Sequence, residues 1–464
     1  MRTIYWYLTA YARKHGPIIL ITLIAGIAFF SLILPNLITR LEQRNRQFIG
    51  VIGEYSLDHL PPEVTKLISV GLTTINDDGT TGRGVAERYT AEDDGRTYRF
   101  IIREDLVWQD GKPLVPTDIN YNFRDVEVIH GLNDIVFKLR NPFVPFPTVV
   151  ADPLIRQIEE RYLLFMSRPM PVGLGAYRVV DYQLNNNRLS ELVLDGPGER
   201  LIFRFYLTQD QAMTAFKHGR VDVLADISRP TELMEWPNVT ISPTVRFDRY
   251  LALFFNNASP MFPRNIRQAF AYAMEKPSDD TRAIGPINPR SWAYLESGRR
   301  YDYDYERAIE RMIDEIPGVP LEFRLTTNAN FAAEAEEIKV ALERLGNDAT
   351  ERCFEDSNDD NCDHLRVKIQ IQVTNFPDTS NFDTLLIGQQ IPPDPDQYYL
   401  WHSEQTTNFS RFKNTRIDAL LERGRTTAES NERRAIYQEF QQFFLEDIPA
   451  VFIRHLTSYQ VERG

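Results

Sequence analysis

Three consecutive stretches switch their apolar spacing from two residues to 3.6 and back to two, and this constrains the fold more than anything else in the chain. Leu321, Phe323 and Leu325 alternate with Glu322 and Arg324, as on a strand. Phe331, Ala335, Ile338, Leu342 and Leu345 then form one helical stripe, with Gly346 as its expected C-terminal stop. Val367, Ile369, Ile371 and Val373 alternate again, against Lys368, Gln370 and Gln372. A strand, a helix and a second strand in one sheet make a right-handed βαβ crossover. The fold class expected is mixed α/β.

The same two periods recur elsewhere. Tyr98, Phe100 and Ile102 share one strand face, as do Ile135, Phe137 and Leu139. Thr208 and Gln211 form a capping box before a stripe of Ala212, Ala215 and Phe216, which Gly219 ends. Ile266, Phe270 and Ala273 mark a helix near 264–275, and Ile436, Phe440 and Phe443 mark a last one.

Charge divides the chain unevenly. Residues 1–50 carry six Lys/Arg against one Glu, a net of +5, which leaves −18 of the overall −13 for the remainder. An acidic body argues against a nucleic-acid partner, which calls for a basic face. Within the head, Pro17 to Ile38 is a run of 22 residues without a formal charge. At about 1.5 Å per residue it spans a hydrocarbon core of roughly 30 Å. It is longer than the 7–15-residue core of a signal peptide and ends without a small-residue cleavage site. The expectation is a cytoplasmic basic head and uncleaved anchor over 1–46, with the body wholly on one side of the membrane.

The two cysteines, Cys353 and Cys362, lie between the helix and second strand of the βαβ unit, in an acidic stretch expected to loop out at the surface. A disulfide there requires an oxidising compartment and contributes roughly 2.7 kcal/mol in the chain-entropy model. Asp356, Asn358 and Asp360 begin with calcium-loop spacing, but Asn361 replaces the glycine and Val367 the terminal glutamate, so no metal site is assigned. No G-x-S-x-G, H-E-x-x-H, Walker A or G-x-G-x-x-G pattern occurs, and the seven His are scattered. Nothing supports an enzyme, and no cofactor is assigned.

Several separated stretches, in order, carry a resemblance. Asp94-Gly95-Arg96-Thr97-Tyr98-Arg99-Phe100 is similar to a D-G-x-T-Y-x-F strand entry. Asp110-Gly111-Lys112-Pro113-Leu114 makes a turn, after which Thr117 or Asp118 is expected to start a helix carrying Phe123 inward. Pro171-Val172-Gly173-Leu174-Gly175-Ala176-Tyr177 resembles P-V-G-T-G-P-Y, a glycine pair suited to a tight reversal. Phe255-Asn256-Asn257, Arg267-Gln268-Ala269, Asp394-Pro395-Asp396 and Pro449-Ala450-Val451-Phe452 complete the series. From about Leu72 to Val461 the body resembles the family 5 extracellular solute-binding proteins of ABC importers, the oligopeptide-, dipeptide- and nickel-binding group.

The resemblance implies a two-lobed periplasmic-binding-protein-like α/β fold with an extra subdomain, behind the N-terminal transmembrane helix. Lobe I would comprise 47–255 plus 450–464, and lobe II 256–449, with an outward hinge at Asn256–Asn257. The chain would be a monomer that closes on a peptide or small polar solute outside the cell membrane and delivers it to permease subunits. Two departures stand out. The family's di- and oligopeptide binders place an Asp three residues before D-P-D to hold the ligand's α-amino group; here that residue is Ile391, and Gln389 follows Gly388 where the family has Trp. The chain also stops at Gly464, earlier than the family pattern implies. A buried ammonium without a partner costs several kcal/mol, so recognition of a free amino terminus is placed in question. Candidate ligand contacts are Asn256 at the hinge, Trp292 and Tyr294 in a Pro-rich loop, and Gln389, Gln390 and Ile391 in the altered anchor. The alternative reading is a non-transport sensor or scaffold of the same fold that binds a protein partner.

Overall fold

The structure is a computed structural model that describes residues 46–464 except 164–165, 231–232 and 357–359, together with positions 15, 16, 22 and 26. The expected anchor over 17–38 lies almost wholly outside the described residues, among which no helix is long and apolar enough to cross a membrane. The chain forms two compact units: residues up to 60 with 176–225, and 61–175 with 226–464.

In the first unit the strand Arg46–Ile52 pairs in parallel with Arg200–Tyr206 on one side and with Val223–Ile227 on the other. Arg188–Asp195 continues the sheet antiparallel to Arg200–Tyr206, and Arg178–Asn185 pairs antiparallel with Arg188–Asp195. The helix Gln209–Lys217 starts on Thr208, whose hydroxyl accepts from Gln211 N at 3.3 Å, while Gln211 Oε1 reaches back to Leu207 N rather than to Thr208. Gly219, at φ +68°, ends it.

The second unit contains a four-stranded antiparallel sheet in the order Ala86–Glu92, Thr97–Ile102, Asp134–Leu139, Val126–His130. Its core is aromatic: Tyr98, Phe100, Phe137 and Phe146 are buried against Trp108 and Ile119. The helix expected after Val115 is only the 3-10 turn Pro116–Asp118. Asp118 is instead held by Trp108 Nε1 at 2.9 Å, and Phe123 reaches the aromatic core from irregular chain. Gly173 and Gly175 flank a bend between two strands, and a Cβ would stand 2.2 Å from Ile68 O at the first and 2.5 Å from Leu67 O at the second. They are glycine because the end of the helix Pro62–Ile68 approaches there.

The same unit holds the strands Ala450–Arg463, Val239–Phe255, Thr384–Gln390, Leu321–Thr327 and Val367–Val373, neighbours in that order. Leu321–Thr327 and Val367–Val373 pair in parallel, as the βαβ reading requires. Both faces are covered, so the end of Val239–Phe255 is apolar at every position. Leu251, Leu253 and Phe255 face a core under the helices Arg264–Ala273, Tyr305–Ile313 and Ala332–Asp356. Tyr250, Ala252 and Phe254 face a second, aromatic core under Thr415–Thr426 and Ser430–Asp447.

The crossover helix does not stop at Gly346. It runs on to Asp356, and Gly346 lies where Val367 crosses it, its missing Cβ only 2.5 Å from Val367 N. The extension carries Cys353 into the interior. Cys353 and Cys362 are bonded and fully buried, so the pair staples the helix end inside the core rather than closing a surface excursion.

Candidate functional site

Tyr250 and Gln389 are register partners on adjacent strands, which puts both side chains on the aromatic face of the sheet. Gln390, opposite Arg249, falls on the other face and is exposed. Beyond it Ile391 turns inward, its N–H donating to Asp248 O at 2.7 Å and its side chain buried in the aromatic core. The position that would hold a carboxylate for a ligand ammonium is thus a core residue.

The Asp394-Pro395-Asp396 motif is wound tightly. Asp394 Oδ1 accepts from Asp396 N at 2.9 Å, and Asp396 Oδ1 from Tyr398 N at 3.1 Å, leading into the short helix Tyr398–Trp401. Neither carboxylate is free for a ligand. Asp394 receives both terminal nitrogens of Arg433, at 2.6 and 2.9 Å, and both residues are buried. Arg433 Nε donates to Gly424 O at 2.7 Å. Burial alone would lower the Arg433 pKa, but Asp394 outweighs it and the guanidinium stays charged. Asp396 pairs with Arg425 Nε at 3.2 Å. Burial pushes the Asp396 carboxyl up to about 6, against the pull of Arg425.

Trp292 joins this cluster. The Arg433 guanidinium lies 5.4 Å from its ring centre, and Tyr437 meets it edge-on at 6.3 Å. Trp292 N donates to Asp78 O at 3.0 Å, and Gly79 fits beneath Pro393, whose carbonyl would be 2.3 Å from a Cβ. Arg425 makes a parallel link: its carbonyl accepts from Val144 N at 2.8 Å and its guanidinium stacks over Tyr398 and Phe143. Tyr294 packs on the same core, its carbonyl accepting from Gln438 Nε2 and its phenol pKa raised by burial.

A crevice opens behind Gln389. Tyr250, Phe254, Gln389, Leu400, Trp401, Phe409 and Ser410 line it, and it leaves no room for a water molecule. Tyr250 Oη and Trp401 Nε1 are both sealed from solvent and have no hydrogen-bond partner. Gln397, at the start of the same short helix, is in the same condition at both amide atoms. A buried polar atom left unsatisfied costs about 1–3 kcal/mol, so this wall holds an unmet demand for hydrogen bonds. Burial raises the Tyr250 pKa, and the phenol is neutral.

The structure therefore gathers Trp292, Tyr294, Gln389 and Ile391 around one core and leaves Gln390 on the opposite face. Asn256 is elsewhere. It lies six residues along the strand from Tyr250, about 20 Å at strand rise, where its Nδ2 donates to Phe382 O and its N–H to Asp383 O. Sequence reasoning missed Tyr250, Trp401, Arg425 and Arg433. The continuous apolar run Tyr250–Phe255 marks a buried strand but gives no signal for a site. Among the described residues no group of three or more His, Cys, Asp or Glu is placed to hold a metal ion; the Asp356–Asp360 spacing falls partly outside them.

This architecture is a mixed α/β fold matching the periplasmic binding proteins. The chain superposes on NikZ from Campylobacter jejuni, solved with Ni(L-His), with a TM-score of 0.67 at 21% identity, covering 90% of this chain and 94% of that one. It superposes on AppA from Bacillus subtilis, solved with a nonapeptide, with a TM-score of 0.63 at 17% identity, covering 90% and 94%. By sequence it is 22% identical over 461 residues to the dipeptide-binding protein of Escherichia coli K12, covering 82% of each. No protein-family model matches the chain. Its homologues and structural neighbours are family 5 solute-binding proteins of ABC importers, the dipeptide-, oligopeptide- and nickel-binding group, and they are binding proteins rather than enzymes.

Proposed function

We propose that the chain is the membrane-anchored, extracytoplasmic substrate-binding protein of an ABC importer, capturing a peptide or similar polar solute and delivering it to a permease. The observation that carries this reading is its likeness to peptide-binding relatives over 82% to 90% of its length, joined to a wall of aromatic and amide side chains around Gln389. Such a wall suits a ligand read through its backbone. The buried disulfide supports an oxidising compartment. A lobe boundary at Asn256 would cut one sheet, because Arg249–Phe255 pairs at every position with Thr384–Gln390, so the moving lobes do not divide there.

Native mass spectrometry of the purified chain, before and after mild unfolding, tests the proposal. The expected result is a released peptide or small polar mass, or a thermal shift with a peptide collection. An apo mass together with no shift from any peptide would overturn it in favour of a sensor or scaffold, the reading that the loss of an anchoring carboxylate at Ile391 motivates.

A further inference from the structure

We infer that the crevice behind Gln389 is a ligand subsite for an uncharged, carbonyl-bearing end with an apolar neighbour, the acylated amino end of a peptide, and not for a free ammonium. The inference rests on the solute-binding reading above and specifies the chemistry of its ligand.

What the wall lacks is a negative charge. None of the seven residues around the crevice is ionised. The nearest acidic motif in sequence is committed elsewhere, Asp394 to Arg433 and Asp396 to Arg425. Ile391 offers only hydrocarbon. An ammonium entering here would shed its water and find no counter-charge. What the wall has is hydrogen-bond donors without acceptors. The Trp401 indole N–H can only donate, and a neutral phenol donates readily. Both are buried and unpartnered. Ser410 Oγ does not compete as a donor, because it is already spent on Asn408 Oδ1 at 2.8 Å. A carbonyl oxygen is the complement of this set, and Phe254, Leu400 and Phe409 supply the apolar surface for the small group beside it.

The space is too narrow for water, so solvent does not meet the demand. Entry requires the lining to part. Gln389, Leu400 and Phe409 are the half-buried members of the lining, and the Gln389 amide is tied only to its neighbour's carbonyl, Gln390 O, at 3.2 Å. A ligand carbonyl that opens the crevice meets donors that are unpartnered in the closed lining.

The test uses the full chain and matched tetrapeptides, each as the free amine and as the N-acetyl form, titrated calorimetrically and followed by tryptophan fluorescence. The acetyl forms are expected to bind about tenfold or more tighter than the free amines, the scale of one satisfied buried donor. Tyr250→Phe removes only the hydroxyl. It is expected to weaken the acetyl forms by about fivefold or more, to leave the free amines unchanged, and to leave thermal stability equal or higher, since an unpartnered buried group is deleted. Gln389→Glu places a carboxylate at the mouth and is expected to shift preference toward the free amines. Equal affinity for the two forms, tighter binding of the free amines, or equal losses for both in Tyr250→Phe would overturn the subsite while leaving the solute-binding reading intact. Failure of both forms to bind would overturn the subsite, and joined to an apo mass and no shift from any peptide it would overturn the solute-binding reading as well.

Discussion

Replacing Arg433 by Met decides what the Asp394-Pro395-Asp396 motif is for. Arg433 and Asp394 are both buried, and two short hydrogen bonds join them. Methionine keeps most of the stem and removes the charge. Asp394 then loses its cationic partner in the interior beside Asp396, and Gly424 O loses its donor. Breaking a buried pair in this way costs about 3–5 kcal/mol. With a urea slope of about 3 kcal/mol per M, the unfolding midpoint should fall by about 1–1.7 M. Asp394→Asn in the same background relieves the stranded charge while retaining an acceptor for Asp396 N. The double variant should therefore be more stable than the sum of the singles by about 1–3 kcal/mol. Urea unfolding of the four proteins, read by tryptophan fluorescence, closes the cycle. A loss below about 1 kcal/mol for Arg433→Met, or additivity within about 0.5 kcal/mol, would refute the argument. It would mean that Asp394 is solvated and open to a ligand cation.

Asp396 should give the chain a pH-dependent stability. Its folded pKa of about 6 stands above the ordinary 3.8, so its contribution is complete below pH 3.8 and is lost as pH rises through 6, about 3 kcal/mol in all. Asp396→Asn should thus gain stability relative to the parent between pH 4 and pH 7.5, checked by thermal unfolding at both pH values; a constant difference would count against the buried pair. Cys353→Ser with Cys362→Ser, or reduction, should cost about 2.7 kcal/mol, measured by denaturant unfolding with and without reductant; no difference would place the staple outside the cooperative core. Gly346→Ala tests the helix crossing. Propensity alone would add about 1 kcal/mol of stability, but the new Cβ would sit 2.5 Å from Val367 N, so the variant should melt at a lower temperature than the parent.

The periodicities in the sequence were legible where one side chain's neighbours sufficed to place it. Alternation at 321–325 and 367–373 identified two strands, and their parallel pairing follows from the helix between them. Glycine was the weak point. Gly219 and Gly346 look alike in sequence, yet one ends a helix at positive φ and the other sits inside a helix at a backbone crossing. The difference lies in Val367, which the sequence cannot bring near. The cysteines follow from that misreading: a helix ending at Gly346 leaves Cys353 in a loop, whereas ten more residues of helix bury it.

The site was legible to the same extent and no further. Gln389, Ile391, Trp292 and Tyr294 could be chosen from local context, because the altered anchor segment and the Pro-rich loop are each short. Their chemistry depends on residues far away in sequence. Asp394 reads as a free carboxylate until Arg433, 39 residues on, is placed against it. Tyr250 reads as an ordinary core aromatic until the strand register sets it beside Gln389 and leaves its hydroxyl unpaired. These two facts act together. Pairing removes the negative charge that a free amino terminus would seek, and the missing partners leave two donors that an acyl carbonyl would satisfy. On the proposed reading, ligand preference at this wall is set less by which residues the motif contains than by which of their polar atoms the fold has already used.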